Sequence, residues 1–73
     1  MSTNRKRWKT NLAALRRAKG LSQKEVARAA RLNRVYYAHL EQGLHAPGIA
    51  IAVRVARALG VAAERLKFTS VDK

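Results

Sequence analysis

Three side chains near the middle of the chain, Arg34, Val35 and His39, have the chemistry that reads base pairs. An arginine can donate two hydrogen bonds to O6 and N7 of a guanine, and an apolar side chain can contact a thymine methyl group. His39 follows Val35 by one helical turn and could donate to a base or a phosphate. Neither His39 nor His45 has cysteine or acidic companions at metal-ligand spacing, so we expect no metal site.

Arrangements of residues that support catalysis are missing from the sequence. It has no cysteine, no nucleophile–base pair and no glycine-rich phosphate loop, and its four acidic residues form no carboxylate dyad. We therefore predict that the protein is not an enzyme and uses no cofactor.

The charge balance is strongly basic, with sixteen Lys and Arg against four Asp and Glu and a net charge of +12. Residues 1–34 hold eleven of the basic residues and one acidic residue. Such a field attracts nucleic acid first and acidic membrane second, although a solubility role would produce the same charge. No apolar run approaches the roughly 20 residues of a membrane span, and the basic start lacks the apolar stretch of a signal peptide. We expect a cytoplasmic protein that does not bind membranes.

Helical spacing between glycine and proline breakers predicts an all-α fold. Ser22 and Glu25 form a capping box at the start of the second helix, and Asn33 is a good cap for the third. The expected helices cover about 6–19, 22–29, 34–42, 48–59 and 62–67. The positions expected to face the core are Trp8, Leu12, Leu15, Val26, Ala27, Ala30, Tyr37, Leu40, Ile49, Ala52, Val53, Ala56, Leu59, Val61 and Leu66.

The second and third helices are separated by about four residues, 30–33, with the small Ala27 and Ala30 where the helices come closest. This spacing is typical of the helix-turn-helix motif, whose second helix enters the major groove. Residues 20–43, GLSQKEVARAARLNRVYYAHLEQG, closely resemble the lambda repressor–Cro family, also called the xenobiotic-response-element family. The resemblance continues through residues 46–66, APGIAIAVRVARALGVAAERL.

The resemblance implies a five-helix lambda-repressor-like DNA-binding domain over residues 8–68, followed by a short tail, 69–73. Residues 1–7 are then either a basic arm that follows phosphates or a minor groove, or a first helical turn anchored by Trp8. The register of Trp8 with Leu12 favours core packing for its side chain.

The resemblance also implies that the third helix and the start of the second bind DNA. In this family the residue matching Gln23 contacts a phosphate and braces the recognition helix, and the residue matching Tyr37 is in the core. Tyr36 could bind a phosphate or pack against the core, and Asn33 could contact DNA in addition to capping. The predicted DNA-binding residues are Gln23, Asn33, Arg34, Val35, Tyr36, Ala38, His39, Arg28, Arg31 and Lys6.

Members of the family often bury an ion pair at the positions of Arg16 and Glu41, which we interpret as structural. The chain departs from the family at Arg31, where a glycine is common in the turn. An arginine with positive φ is strained there, and its side chain could gain a phosphate contact. The loop 44–47 is less polar than usual, so we expect no side-chain phosphate contacts from it.

The small size resembles that of phage Cro proteins and of restriction–modification controller proteins. We expect a sequence-specific repressor or activator that binds a roughly palindromic operator as a homodimer, because two-fold dimers place their reading helices about 34 Å apart. A DNA-binding antitoxin with a toxin partner is the alternative, and a non-specific nucleic-acid or membrane-surface binder is a third. The predicted dimer interface comprises Ile51, Val55, Val61, Leu66 and Phe68, unless Val55 and Phe68 simply cap the core.

Overall fold

Four α-helices and a two-stranded antiparallel sheet make up residues 7–71, which are the residues that the computed structural model describes. The helical helix-turn-helix architecture is as predicted, but the number of helices is four and not five. No helix within residues 7–71 has the length and apolarity to cross a membrane. In chain order the elements are β1 (Arg7–Thr10), α1 (Leu12–Ala18), α2 (Gln23–Ala29), α3 (Arg34–Glu41), α4 (Ile49–Leu59), a single 3-10 turn (Ala63–Arg65) and β2 (Phe68–Val71).

The predicted helix caps are confirmed at α2 and α3. Ser22 Oγ accepts a hydrogen bond from the Glu25 backbone N at 3.0 Å, and the Ser22 backbone N donates to Glu25 Oε1 at 2.8 Å. Asn33 Oδ1 accepts from the backbone N of Val35 at 2.8 Å and of Tyr36 at 3.3 Å. These bonds satisfy backbone donors that the first helical turn leaves free.

The prediction of a first helix over 6–19 is wrong at its N-terminal end, because residues 7–10 form strand β1. β1 pairs with β2 in antiparallel register, Arg7 opposite Val71 and Thr10 opposite Phe68. The helix starts only at Leu12, whose backbone N donates to Thr10 Oγ1 at 3.2 Å. Trp8 consequently lies half-buried in a strand and not in a helical turn.

The predicted fifth helix over 62–67 is also wrong, since the chain makes one 3-10 turn and then becomes extended. The side chain of Asn11 accounts for this change of direction. Its Nδ2 donates to the Arg65 carbonyl oxygen and its Oδ1 accepts from the Lys67 backbone N, both at 2.9 Å. Backbone groups that a helix would use are therefore bonded to Asn11, and Phe68 enters β2.

The core confirms most of the predicted inward positions and corrects two in α4. Val55, predicted at the dimer surface, is completely buried, whereas Ile49, predicted inward, is 84% exposed. Ile49 lies seven residues before Ala56 and shares its face, so its exposure follows from its place at the first position of the helix. Ala52 and Val53 are half-buried. The buried hydrophobic residues are Leu12, Leu15, Val26, Ala27, Ala30, Tyr37, Leu40, Val55, Ala56 and Leu59.

A largely buried ion pair joins α1 to α3, as the resemblance implied. Arg16 Nε donates to Glu41 Oε2 at 2.6 Å and Arg16 Nη2 donates to Glu41 Oε1 at 3.2 Å, while Arg16 Nη1 donates to the Leu21 carbonyl oxygen at 2.9 Å. The side chains are only 12% and 6% exposed. Gln23 Nε2, on the first residue of α2, adds a bond of 2.9 Å to Glu41 Oε1. Three helices therefore meet at one carboxylate.

The pKa of Glu41 is lowered below its ordinary value even though burial acts in the opposite direction, because hydrogen bonds from Arg16 and Gln23 and the Arg16 charge outweigh the loss of solvation. Burial, together with the neighbouring Glu41, raises the pKa of Tyr37. The Tyr37 hydroxyl lies beside this cluster, but within residues 7–71 it makes no hydrogen bond of ordinary geometry.

Removing either partner of the Arg16–Glu41 pair should destabilise the fold strongly. Arg16→Ala or Glu41→Ala leaves the other charge largely buried, which costs about 3–5 kcal/mol of unfolding free energy. Urea denaturation of both variants and of the double variant should reveal clear coupling. Arg17→Ala, at an exposed neighbour on α1, is the control. Two small and additive losses would contradict the structural role.

The same pair should make the stability fall in acid. The pKa of Glu41 is lower in the folded protein than its ordinary value of 4.5, so its contribution is present above about pH 4.5 and is lost as the pH falls through the folded-state pKa. The Tm difference between the wild type and Glu41→Gln should therefore shrink between roughly pH 7 and pH 3. Glu64→Gln, at an exposed carboxylate, is the control. A difference for Glu41→Gln that is independent of pH would argue against this mechanism.

Candidate nucleic-acid interface

The N-terminal end of α3 presents a continuous exposed surface. Asn33 and Arg34 are exposed, and Val35 is exposed over 57% of its surface although it is a large hydrophobic residue. Ala38 and His39, one turn later, are half-buried. Each of these five predicted DNA-contacting side chains is thus at least partly accessible. Contact with DNA at these positions remains a prediction.

The turn that precedes α3 is held in a strained conformation. Arg31 has φ +60°, a conformation that favours glycine and costs roughly 1–3 kcal/mol for other residues. Arg54 of α4 reaches across to this turn, and its Nε and Nη2 donate to the carbonyl oxygens of Ala30 and Arg31 at 2.9 Å and 2.7 Å. α4 therefore stabilises the turn and, through it, the start of α3. The sequence analysis did not assign this role to Arg54.

The Gln23 side chain braces α3, which is one of the two roles that the family resemblance implied for it. Its side chain is half-buried and bonded to Glu41, the last residue of α3. The bond fixes the start of α2 against the end of α3. The phosphate contact at Gln23 stays a prediction.

An aromatic cluster joins α3 to the loop that follows it. The rings of Tyr36 and His45 stack with centroids 5.9 Å apart, and the rings of His39 and His45 are also 5.9 Å apart, in a tilted arrangement. His45 belongs to the loop that the sequence analysis excluded from side-chain contacts, yet it is exposed beside two predicted DNA-binding residues. Tyr37 is completely buried, as predicted. Within residues 7–71 no group of three or more His, Cys, Asp or Glu could hold a metal ion.

β1 is packed directly against the end of α3. The Trp8 backbone N donates to the Gly43 carbonyl oxygen at 2.9 Å. Gly43 has φ +78°, and a Cβ atom on it would overlap the Trp8 carbonyl oxygen. Only glycine fits at this point, so the N-terminal strand fixes the loop that carries His45.

The remaining predicted positions are distributed as follows. Arg28 and Arg31 are exposed on α2 and in the turn, and Lys6 lies outside the described residues. Of the predicted dimer residues, Val55 has no exposed surface with which to contact a partner. The other four, Ile51, Val61, Leu66 and Phe68, are half-buried and pack against the core.

Three comparisons with known proteins agree with this geometry. A helix-turn-helix family model matches residues 12–66. A curated relative, the HTH-type transcriptional regulator YqaF of Bacillus subtilis, is 38% identical over 42 residues, which are 58% of this chain. The match spans 55% of that relative's length.

Solved structures of three related proteins superpose on about three quarters of this chain. The restriction–modification controller protein C.AhdI from Aeromonas hydrophila has 33% identity and a TM-score of 0.71, over 74% of this chain and 82% of its own. Two structures of the clp gene regulator ClgR from Corynebacterium glutamicum have 30% identity and TM-scores of 0.70 and 0.71, over 74% of this chain and 70% or 57% of their own. The hypothetical transcription factor NHTF from Neisseria has 36% identity and a TM-score of 0.70, over 75% of this chain and 62% of its own. The chain therefore belongs to the lambda repressor–Cro-like helix-turn-helix family of DNA-binding transcriptional regulators.

Proposed function

We propose that the protein is a sequence-specific regulator that reads double-stranded DNA with the N-terminal half of α3. The observation that carries this proposal is the exposed pair Arg34 and Val35 directly after the Asn33 cap. Because the Asn33 side chain already binds the backbone N–H groups of Val35 and Tyr36, we assign base reading to side chains. Arg34 is assigned to a guanine and Val35 to a thymine methyl group.

Phosphate contacts position the reading helix and supply most of the sequence-independent affinity. The exposed Arg28 and Arg31 and the amide of Gln23 are assigned to this role, with Tyr36 and His39 at the flank. Lys6 is assigned to it on sequence grounds. The net charge of +12 supports an affinity that falls steeply with salt.

We also propose that two copies bind one operator. A two-fold arrangement places two reading helices about 34 Å apart, one turn of DNA, and thus requires a roughly palindromic site. We assign Ile49, at the start of α4, to this interface, because covering a side chain that is 84% exposed would remove apolar surface from water. The half-buried Ile51 of the same helix is assigned to this interface as well. The large positive charge opposes association in free solution, so DNA promotes it.

Similarity to a controller protein of a restriction–modification system supports a regulatory role. The direction of regulation then depends on where the operator lies relative to the promoter.

Arg34→Ala should weaken binding to the specific site by about 1–3 kcal/mol and relax base choice at one position. The duplex for this measurement is chosen by in vitro selection from random sequence with the wild-type protein. Affinities of both proteins for this duplex and for single-base variants are then compared at one salt concentration. Arg65→Ala removes an exposed arginine in the 3-10 turn and is the control. Equal operator affinity for Arg34→Ala and the wild type would show that α3 does not read the site in this way.

Ile49→Lys should reduce cooperative assembly on the operator without unfolding the protein, because the side chain is exposed in the monomer. Sedimentation of the complex should give two copies per duplex for the wild type and a larger fraction of single copies for the variant. Ala14→Lys, which adds the same charge at an exposed position of α1, should behave like the wild type. The dimer proposal fails if the wild type binds a full operator strictly one to one.

A further inference from the structure

A cleft of about 510 Å³ lies between the C-terminal end of α2 and the middle of α4. Three of the residues that line it are arginines, and the other two are alanines: Ala29, Ala30, Arg31, Arg54 and Arg57. No residue of α3 lines the cleft, so it is separate from the base-reading side chains.

Arg54 is a fixed donor in this cleft. Its bonds to the Ala30 and Arg31 carbonyl oxygens use two of the five guanidinium N–H groups. Three N–H groups remain for another acceptor. The same bonds cover carbonyl groups at the end of α2 whose partial negative charge would otherwise repel an anion.

The other two arginines add exposed positive charge. Arg31 lies two residues after the end of α2 with its backbone held at φ +60°, and Arg57 lies three residues after Arg54 on the same side of α4. The single ion pair within residues 7–71 is the one between Arg16 and Glu41. The three arginines therefore line the cleft without a carboxylate paired with them in the part of the chain that the structure describes.

We propose that this cleft binds a phosphate group. Guanidinium groups match the oxygen geometry of phosphate in a bidentate manner, and an anion removes the repulsion among three neighbouring cations. Two sources supply the same chemistry: a backbone phosphodiester of bound DNA, or a free phosphate. The first source rests on the proposed function, whereas the second does not depend on it.

The test uses Arg57→Gln, because Arg57 is exposed and makes no bond to the turn, whereas changes at Arg54 would also disturb α3. Arg65→Gln removes the same charge from an exposed position outside the cleft and is the control. Thermal unfolding establishes that both variants fold. Two titrations follow on each protein: inorganic phosphate monitored by NMR at the Ala29, Ala30 and Arg31 amides, and a DNA duplex of about three helical turns, roughly 30 base pairs, at several salt concentrations.

If DNA supplies the phosphate, Arg57→Gln weakens duplex binding several-fold more than Arg65→Gln and lowers the slope of log K against log salt by about one. If free phosphate is the ligand, Arg57→Gln abolishes the shifts of these amides on phosphate addition, and its duplex binding matches that of Arg65→Gln. Equal behaviour of the two variants in both titrations overturns the proposal. Failure of the wild type to bind any duplex overturns the proposed function and leaves the phosphate titration as the test of the cleft.

Discussion

The carboxylate of Glu41 is the point on which the arrangement of the helix-turn-helix depends. It accepts two bonds from Arg16 of α1 and one from Gln23 of α2, and it is itself the last residue of α3. Hydrophobic contacts between small helices allow sliding and rotation, because apolar packing is not directional. Directional bonds to a largely buried charge penalise such movement, since a displaced partner leaves the carboxylate unsatisfied. The orientation of α3 relative to α1 and α2 is fixed in this way at its C-terminal end.

The N-terminal end of α3 is fixed by different means. Asn33 caps the helix, and the Arg54 side chain donates hydrogen bonds to two carbonyl oxygens of the preceding turn. The exposed base-reading side chains at this end thus extend from a backbone that is bonded both by the Asn33 cap and by Arg54. A rigid frame lowers the ordering cost of binding, because fewer conformations are lost when the side chains meet DNA.

Features set by neighbouring residues could be predicted from the sequence. The capping box at Ser22, the cap at Asn33 and the buried Tyr37 depend on local spacing, and the Arg16–Glu41 pair followed from the family resemblance. The exposure of Arg34 and Val35 was predicted correctly for the same reason. Features set by distant residues could not be predicted. The pairing of β1 with β2 and the bonds of Asn11 join opposite ends of the chain, and neither four-residue segment has a strand pattern strong enough to be recognised alone.

The wrong predictions for α4 and for the loop 44–47 have other physical causes. The apolar residues of α4 extend over more than one face, so spacing alone did not show that Val55 is inside and that Ile49 is accessible. The position of His45 depends on the path of the loop after Gly43, and contact with Trp8 determines that path. The role of Arg54 depends on the strained turn at Arg31, and an arginine on the polar side of a helix carries no local sign of such a partner.

The antiparallel pairing of the terminal strands determines how the domain responds to a pulling force. Arg7 and Val71 face each other at the outer end of the sheet, and Thr10 and Phe68 at the inner end. A force applied at these two outer residues acts across the strands, along the direction of their hydrogen bonds. The bonds would therefore break one pair after another, as in a zipper, and not all at once as in shear. The bond between the Trp8 backbone N and the Gly43 carbonyl oxygen and then the Asn11 bonds resist next, so the mechanical resistance at the ends of the domain is set first by these few bonds, each loaded in turn.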